Sequence, residues 1–146
     1  MGYSSGGQLV GVFANKERGY GYYGAAKPGA LLLAYPVVNF SEVKIAYQRL
    51  WIPATMGGTI TAPVWQILSR TIIRRYFLVR EGRQGAAWMI NQVQGPALQA
   101  ALEVHKVPYI MKVFESAPHS IGVGYTTDAE GWLTDAVAFW EQQTAA

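Results

Sequence analysis

No cysteine occurs in the 146 residues of the chain. Disulfides and thiolate metal sites are therefore excluded, and a cytoplasmic home is favoured without being required. Histidine is nearly as scarce: His105 and His119, without cysteines or clustered acids, make no metal-ligand set. Long apolar runs are lacking as well. GALLLAYPVV, at 29–38, falls well short of the ~18 residues of a membrane span and reads as a buried strand. The N-terminus has neither the basic head nor the long apolar stretch of a signal peptide. Charged residues amount to 14% against 51% apolar, which argues against disorder. Aspartate occurs only at Asp128 and Asp135. The length suits one domain able to bury a sizeable core.

The charge that is present is uneven. Five of the seven arginines (Arg70, Arg74, Arg75, Arg80 and Arg83) fall within 14 residues, and the net charge is +3. Clustering of this kind mildly favours acidic partners. Arg74 and Arg75 beside Tyr76 and Phe77 suggest a nucleic-acid patch, but no recognisable binding module surrounds them.

Residues from about Ser5 to Lys16 are predicted to form a helix, because Leu9, Val10, Phe13 and Ala14 recur at helical spacing. A turn-rich loop, GYGYYGAAKPG, leads into ALLLAYPVV, whose continuous apolar run is expected of a strand buried on both faces. Residues 41–61 are irregular, with a short helix expected near 43–50. Strands are predicted at 74–80 and 108–115, with an amphipathic helix at 96–106 between them. Asp128 is expected to cap a last helix lined by Trp132, Ala136, Phe139 and Trp140. Alternation of this kind implies an α/β fold with a parallel sheet.

Chemistry enters at the start of the chain. Gly2, Ser4 and Gly6 spell G-x-S-x-G, the strand-to-helix turn that presents a nucleophilic serine. Glycines at both flanks let the backbone pass close to its neighbours. The Ser5 N–H at the helix N-terminus would face a developing oxyanion. His119 lies in FESAPHSIG, a loop just past a predicted strand, where a parallel sheet presents functional residues. His105, late in a helix beside Lys106, needs no role beyond the helix C-terminus.

GYSSGG, PGALLLAYPVVNFSE, VPYIMKVFESAPHSIGVG and the Trp-rich last helix together resemble the C-terminal half of an α/β-hydrolase. The branch is the acetyl-esterase and feruloyl-esterase-like one, which deacylates small esters or decorated xylans. The likeness covers residues 1–52 and 96–143. It implies a partial α/β-hydrolase fold: a short, mostly parallel sheet of about three strands packed by helices. Residues 1–146 would then be one truncated domain, lacking the strand beneath Ser4 and the upstream oxyanion loop. The resemblance assigns Ser4 as nucleophile, His119 as general base and the Ser5 N–H as one oxyanion donor. It implies no cofactor, and a small ester or acylated carbohydrate as substrate, with no nucleic acid or membrane.

Such hydrolases carry their acid after the penultimate strand, as an Asp in an HGxxD stretch. This chain reads FLVREGRQGAAW there, which leaves the acid unassigned between the Gln84 position and Glu81. Without that acid and a second oxyanion donor, impaired hydrolysis is expected. The alternative is a non-catalytic remnant serving as a binding or assembly module, self-associating through an exposed sheet edge. Between about 68 and 93 the likeness lapses and arginine concentrates, as a shifted reading frame in the gene would cause. Gly19, Gly21 and Gly24 nominally form a dinucleotide fingerprint, but they follow a helix and precede a strand, the reverse of what that motif needs. Asn39-Phe40-Ser41 is a glycosylation sequon only in a secreted protein.

Overall fold

The computed structural model describes residues 1–37, 76–81 and 88–144, with side chains at 1–37 and 94–144. The expected helix near 43–50, the Asn39 sequon, Arg70, Arg74, Arg75, Arg83 and Gln84 lie outside the described residues. Elements follow in the order β1 (Gly2–Tyr3), α1 (Ser4–Phe13), β2 (Leu31–Ala34), β3 (Tyr76–Glu81), α2 (Trp88–Val104), β4 (Tyr109–Phe114) and α3 (Trp132–Thr144). The strands form one sheet in chain order, β1-β2-β3-β4, and every pairing is parallel. All four carboxyl ends therefore share one edge.

Two expectations are corrected. Among the described residues the sheet has four strands rather than about three, because a strand does precede Ser4. Gly2 and Tyr3 pair with Leu33 and Ala34. Two residues carry no periodicity of their own, so only the partner strand reveals them. The helix expected at 96–106 begins at Trp88 instead and runs through Pro96. Proline removes one ladder bond, but Gln94, Leu98 and Leu102, four residues apart, are all buried. Their packing sustains the helix through the break.

The core sits on both faces of β2, as its unbroken apolar run implies. Leu31 and Leu33 pack with Ala14, Leu98 and Leu102 on the side of α1 and α2. Leu32 and Ala34 point the other way, towards Trp132, Ala136 and Phe139 of α3. His105 occupies the C-cap of α2. The Lys106 and Val107 amides return to the carbonyls of Glu103 and Leu102, and Lys106 takes the left-handed conformation (φ +51°) that closes such a helix end. Among the described residues, no helix is long and apolar enough to cross a membrane.

Candidate active site

Ser4 stands where β1 becomes α1. Tyr3 is still extended (φ −112°, ψ 139°), and Ser4 itself has φ +49°, a strained value for a residue with a Cβ. The turn is tight because Gly2 has no side chain. A Cβ there would lie 2.4 Å from the Gly6 carbonyl oxygen and 2.8 Å from the Gly7 Cα. Gly7 is the other required glycine, since its Cβ would meet Pro36 Cβ at 2.8 Å. Gly6, the last residue of the motif, has no described atom within 4 Å of a Cβ. The expected constraint at Gly6 thus sits one residue later, at Gly7.

His119 lies in the loop that follows β4. Its Nε2 is 3.2 Å from Ser4 Oγ, a contact spanning 115 positions of sequence. For the serine hydroxyl to donate, the imidazole must carry its proton on Nδ1. The loop is pinned at several points. Trp132 Nε1 donates to the Gly122 carbonyl at 3.0 Å, and Thr127 Oγ1 to the Gly124 carbonyl at 2.6 Å. Asp128 does not cap α3, which starts four residues later. Instead its Oδ2 accepts the Ser116 N–H at 3.0 Å, because a short acid near a turn satisfies whichever amide is open. That bond, joined by the Ser116 side chain and the amides of Asp128 and Glu115, holds the carboxyl below its ordinary range against a smaller opposing effect of burial.

One aromatic ring lies against the imidazole with two more behind it, and no local sequence pattern marks them as part of the site. Tyr35, directly after β2, places its ring 4.7 Å from that of His119. Tyr3 lies 6.1 Å from Tyr35 and meets Trp132 edge-on at 5.9 Å. Burial raises the Tyr3 phenol above its usual pKa. An apolar-looking tyrosine at a strand end reads as core in any sequence; only the ring contact marks it.

Two further candidates, Ser5 and Glu81, lie on elements that meet the carboxyl edge. Ser5 is the second residue of α1, where backbone N–H groups have no intrahelical partner and no side chain caps the helix. Glu81 ends β3 in register with Phe114, the last residue of β4. Glu81 therefore leads into the carboxyl edge, although its side chain, like Gln84, lies outside the description. Both aspartates are engaged elsewhere: Asp128 with Ser116, and Asp135 in an ion pair with Lys112 of β4. Among the described residues, no three His, Asp or Glu side chains converge as metal ligands would. The Gly19–Gly24 stretch sits in the loop between α1 and β2, not in a strand-to-helix turn.

No family profile matches the sequence, and no curated protein does. Solved structures do. An acetyl ester-xyloside bifunctional hydrolase from Caldicellulosiruptor lactoaceticus is similar over 97% of this chain and 54% of its own, at 18% identity and a TM-score of 0.65. A carboxylesterase from Lactobacillus plantarum is similar over 99% and 57%, at 18% identity and a TM-score of 0.69. Esterase B from Lactobacillus rhamnosis matches over 99% and 52%, at 17% identity and a TM-score of 0.71. The fold is part of an α/β-hydrolase fold. The chain spans about half the length of these structures.

Proposed function

We propose that the chain is a serine hydrolase of carboxylic esters, acting through an acyl-enzyme on Ser4 with His119 as general base. The contact between His119 Nε2 and Ser4 Oγ at 3.2 Å carries this reading. It joins a nucleophile on a strained strand-to-helix turn to a base within proton-transfer reach. Ser4 Oγ attacks the ester carbonyl as His119 Nε2 takes its proton, and the tetrahedral oxygen turns to the Ser5 N–H at the start of α1. Collapse expels the alcohol, which receives the proton back from the imidazolium. Water, deprotonated by His119, then releases the carboxylic acid and restores the serine.

The acid partner of His119 stays unassigned in this reading, with Glu81 at the end of β3 as the one carboxylate candidate and the Gln84 position as the other, where an amide could orient the imidazole without balancing its charge. Topology supports both candidates: β3 neighbours β4, and both aspartates have other partners. The substrate class is a small ester or an acylated carbohydrate, in keeping with the esterase and xyloside-hydrolase names of the structural neighbours. The reading takes residues 1–146 as one domain and gives the Ser5 N–H the part of an oxyanion donor, a contact whose removal typically costs ~10²–10³ in rate.

A fluorophosphonate probe tests the assignment. Labelling of the wild-type chain, abolished in Ser4→Ala and strongly slowed in His119→Gln, is the expected result. A folded wild-type chain that takes no label would overturn it in favour of a binding or assembly role.

A further inference from the structure

Two adjacent strands end in the same unusual way. Tyr3 pairs with Ala34, so the next residues, Ser4 and Tyr35, sit side by side at the carboxyl edge. Both have left-handed φ, +49° and +39°. For Tyr35 the conformation is doubly unfavourable, because a residue before proline ordinarily stays extended. Strain of this kind persists only where the surroundings over-determine it. Here Tyr35 is 4% exposed, its neighbour Pro36 is pressed against Gly7 of α1, and the Val37 N–H donates to the Ser4 carbonyl at 3.3 Å.

The result of that conformation is a tyrosine ring 4.7 Å from the His119 ring, tilted by 56°. An imidazole turns readily about its last side-chain bond, whose energy wells are broad. A ring packed against it narrows that freedom.

We propose that Tyr35 is a positioning residue for the Ser4–His119 pair, its ring holding the imidazole so that Nε2 stays aimed at the serine hydroxyl. This rests on the hydrolase reading above and extends it. Tyr35 is itself backed by Tyr3, which abuts the fully buried Trp132. Trp132 in turn holds the histidine loop through Gly122. One aromatic chain thus ties β1, β2, the loop after β4 and α3 to a single imidazole orientation. This effect acts on the chemical step rather than on substrate binding.

The test compares wild type, Tyr35→Phe and Tyr35→Leu in the full chain, with Tyr35→Met in place of leucine should that variant not fold. The phenylalanine variant keeps fluorophosphonate labelling and p-nitrophenyl acetate turnover near wild type. The leucine variant loses about 10- to 100-fold in kcat and labelling rate, the cost of a misplaced reacting group, with KM little changed. A second readout does not need turnover. ¹³C relaxation of the His119 ring shows an ordered imidazole in wild type and Tyr35→Phe, and a mobile one in Tyr35→Leu. An imidazole as ordered in the leucine variant as in wild type, or undiminished kcat there, overturns the proposal. A wild-type chain that takes no label but keeps a Tyr35-dependent, ordered imidazole would sink the hydrolase reading and leave the positioning contact standing.

Discussion

Alanine placed in turn at the three glycines around Ser4 separates a motif read as letters from a motif read as contacts. At Gly2 the new Cβ would lie 2.4 Å from the Gly6 carbonyl oxygen, about 0.9 Å inside the ~3.3 Å at which carbon and carbonyl oxygen normally meet. The obstacle is backbone, so the first turn of α1 must move by most of that distance. Overpacking of this kind costs ~1–3 kcal/mol, or about 3–10 °C in Tm for a domain of this size. Because Ser4 is carried on the displaced turn, labelling should fall about 100-fold, as expected of a reacting group moved by ~1 Å.

At Gly6 nothing described lies within 4 Å of a Cβ, and the position is helical. Alanine there should stabilise by ~0.5–1 kcal/mol through helix propensity. Gly7→Ala falls between, because its Cβ meets Pro36 at 2.8 Å and the helical gain offsets part of the clash. Urea unfolding gives the stabilities and fluorophosphonate labelling the reactivities. If Gly6→Ala proves as damaging as Gly2→Ala, the contact argument is wrong and the final glycine of G-x-S-x-G is required for some other reason.

The ordinary core gives a simpler expectation: Leu98→Ala, at a site 1% exposed, should cost ~2–5 kcal/mol in urea unfolding. The Lys112–Asp135 ion pair is far weaker, since its side chains are 37% and 50% exposed. A double-mutant cycle should return less than ~1 kcal/mol, declining with salt. Asp128 adds a pH dependence. Its carboxyl is held low by the Ser116 amide, so its contribution is fully present above the unfolded value near 3.9 and is lost as pH falls through the folded one. Thermal unfolding of wild type and Asp128→Asn between pH 6 and 2 should show a gap that closes in acid. Tyr109 behaves oppositely: the Glu103 carboxylate that its hydroxyl contacts at 2.5 Å raises its pKa. Wild type should therefore lose stability relative to Tyr109→Phe as pH rises from about 10.

Much of this arrangement could be read from the sequence, for physical reasons that differ by element. An unbroken apolar run such as ALLLAYPVV leaves no polar face, so burial on both sides of β2 follows directly. His119 follows a predicted strand, and a parallel sheet presents such positions at its carboxyl edge. Other features depend on contacts that no local pattern records. The two residues of β1 owe their state to β2 alone. Pro96 would end a helix on propensity, yet the buried ladder of Gln94, Leu98 and Leu102 carries α2 through it. Asp128, a favoured helix cap by type, is used by an amide 12 positions upstream.

The same distinction explains why no local pattern marks the Tyr35 ring that lies against His119. Five non-glycine residues among those described have left-handed φ: Ser4, Tyr35, Lys106, Ser120 and Thr126. Lys106 closes a helix in the ordinary way, and Thr126 turns the loop before α3. The other three are the serine, the residue beside it on the next strand, and the neighbour of the histidine. Each such conformation costs ~1–3 kcal/mol, and local sequence preference would remove it. Tertiary packing retains it, through Pro36 on Gly7, Tyr3 on Trp132 and Trp132 on the Gly122 carbonyl. Sequence rules describe what a segment prefers, so they fail where distant contacts hold a segment against its preference. In this fold those failures collect around one hydroxyl and one imidazole, which is the arrangement expected if strain is maintained there to keep the pair in reach.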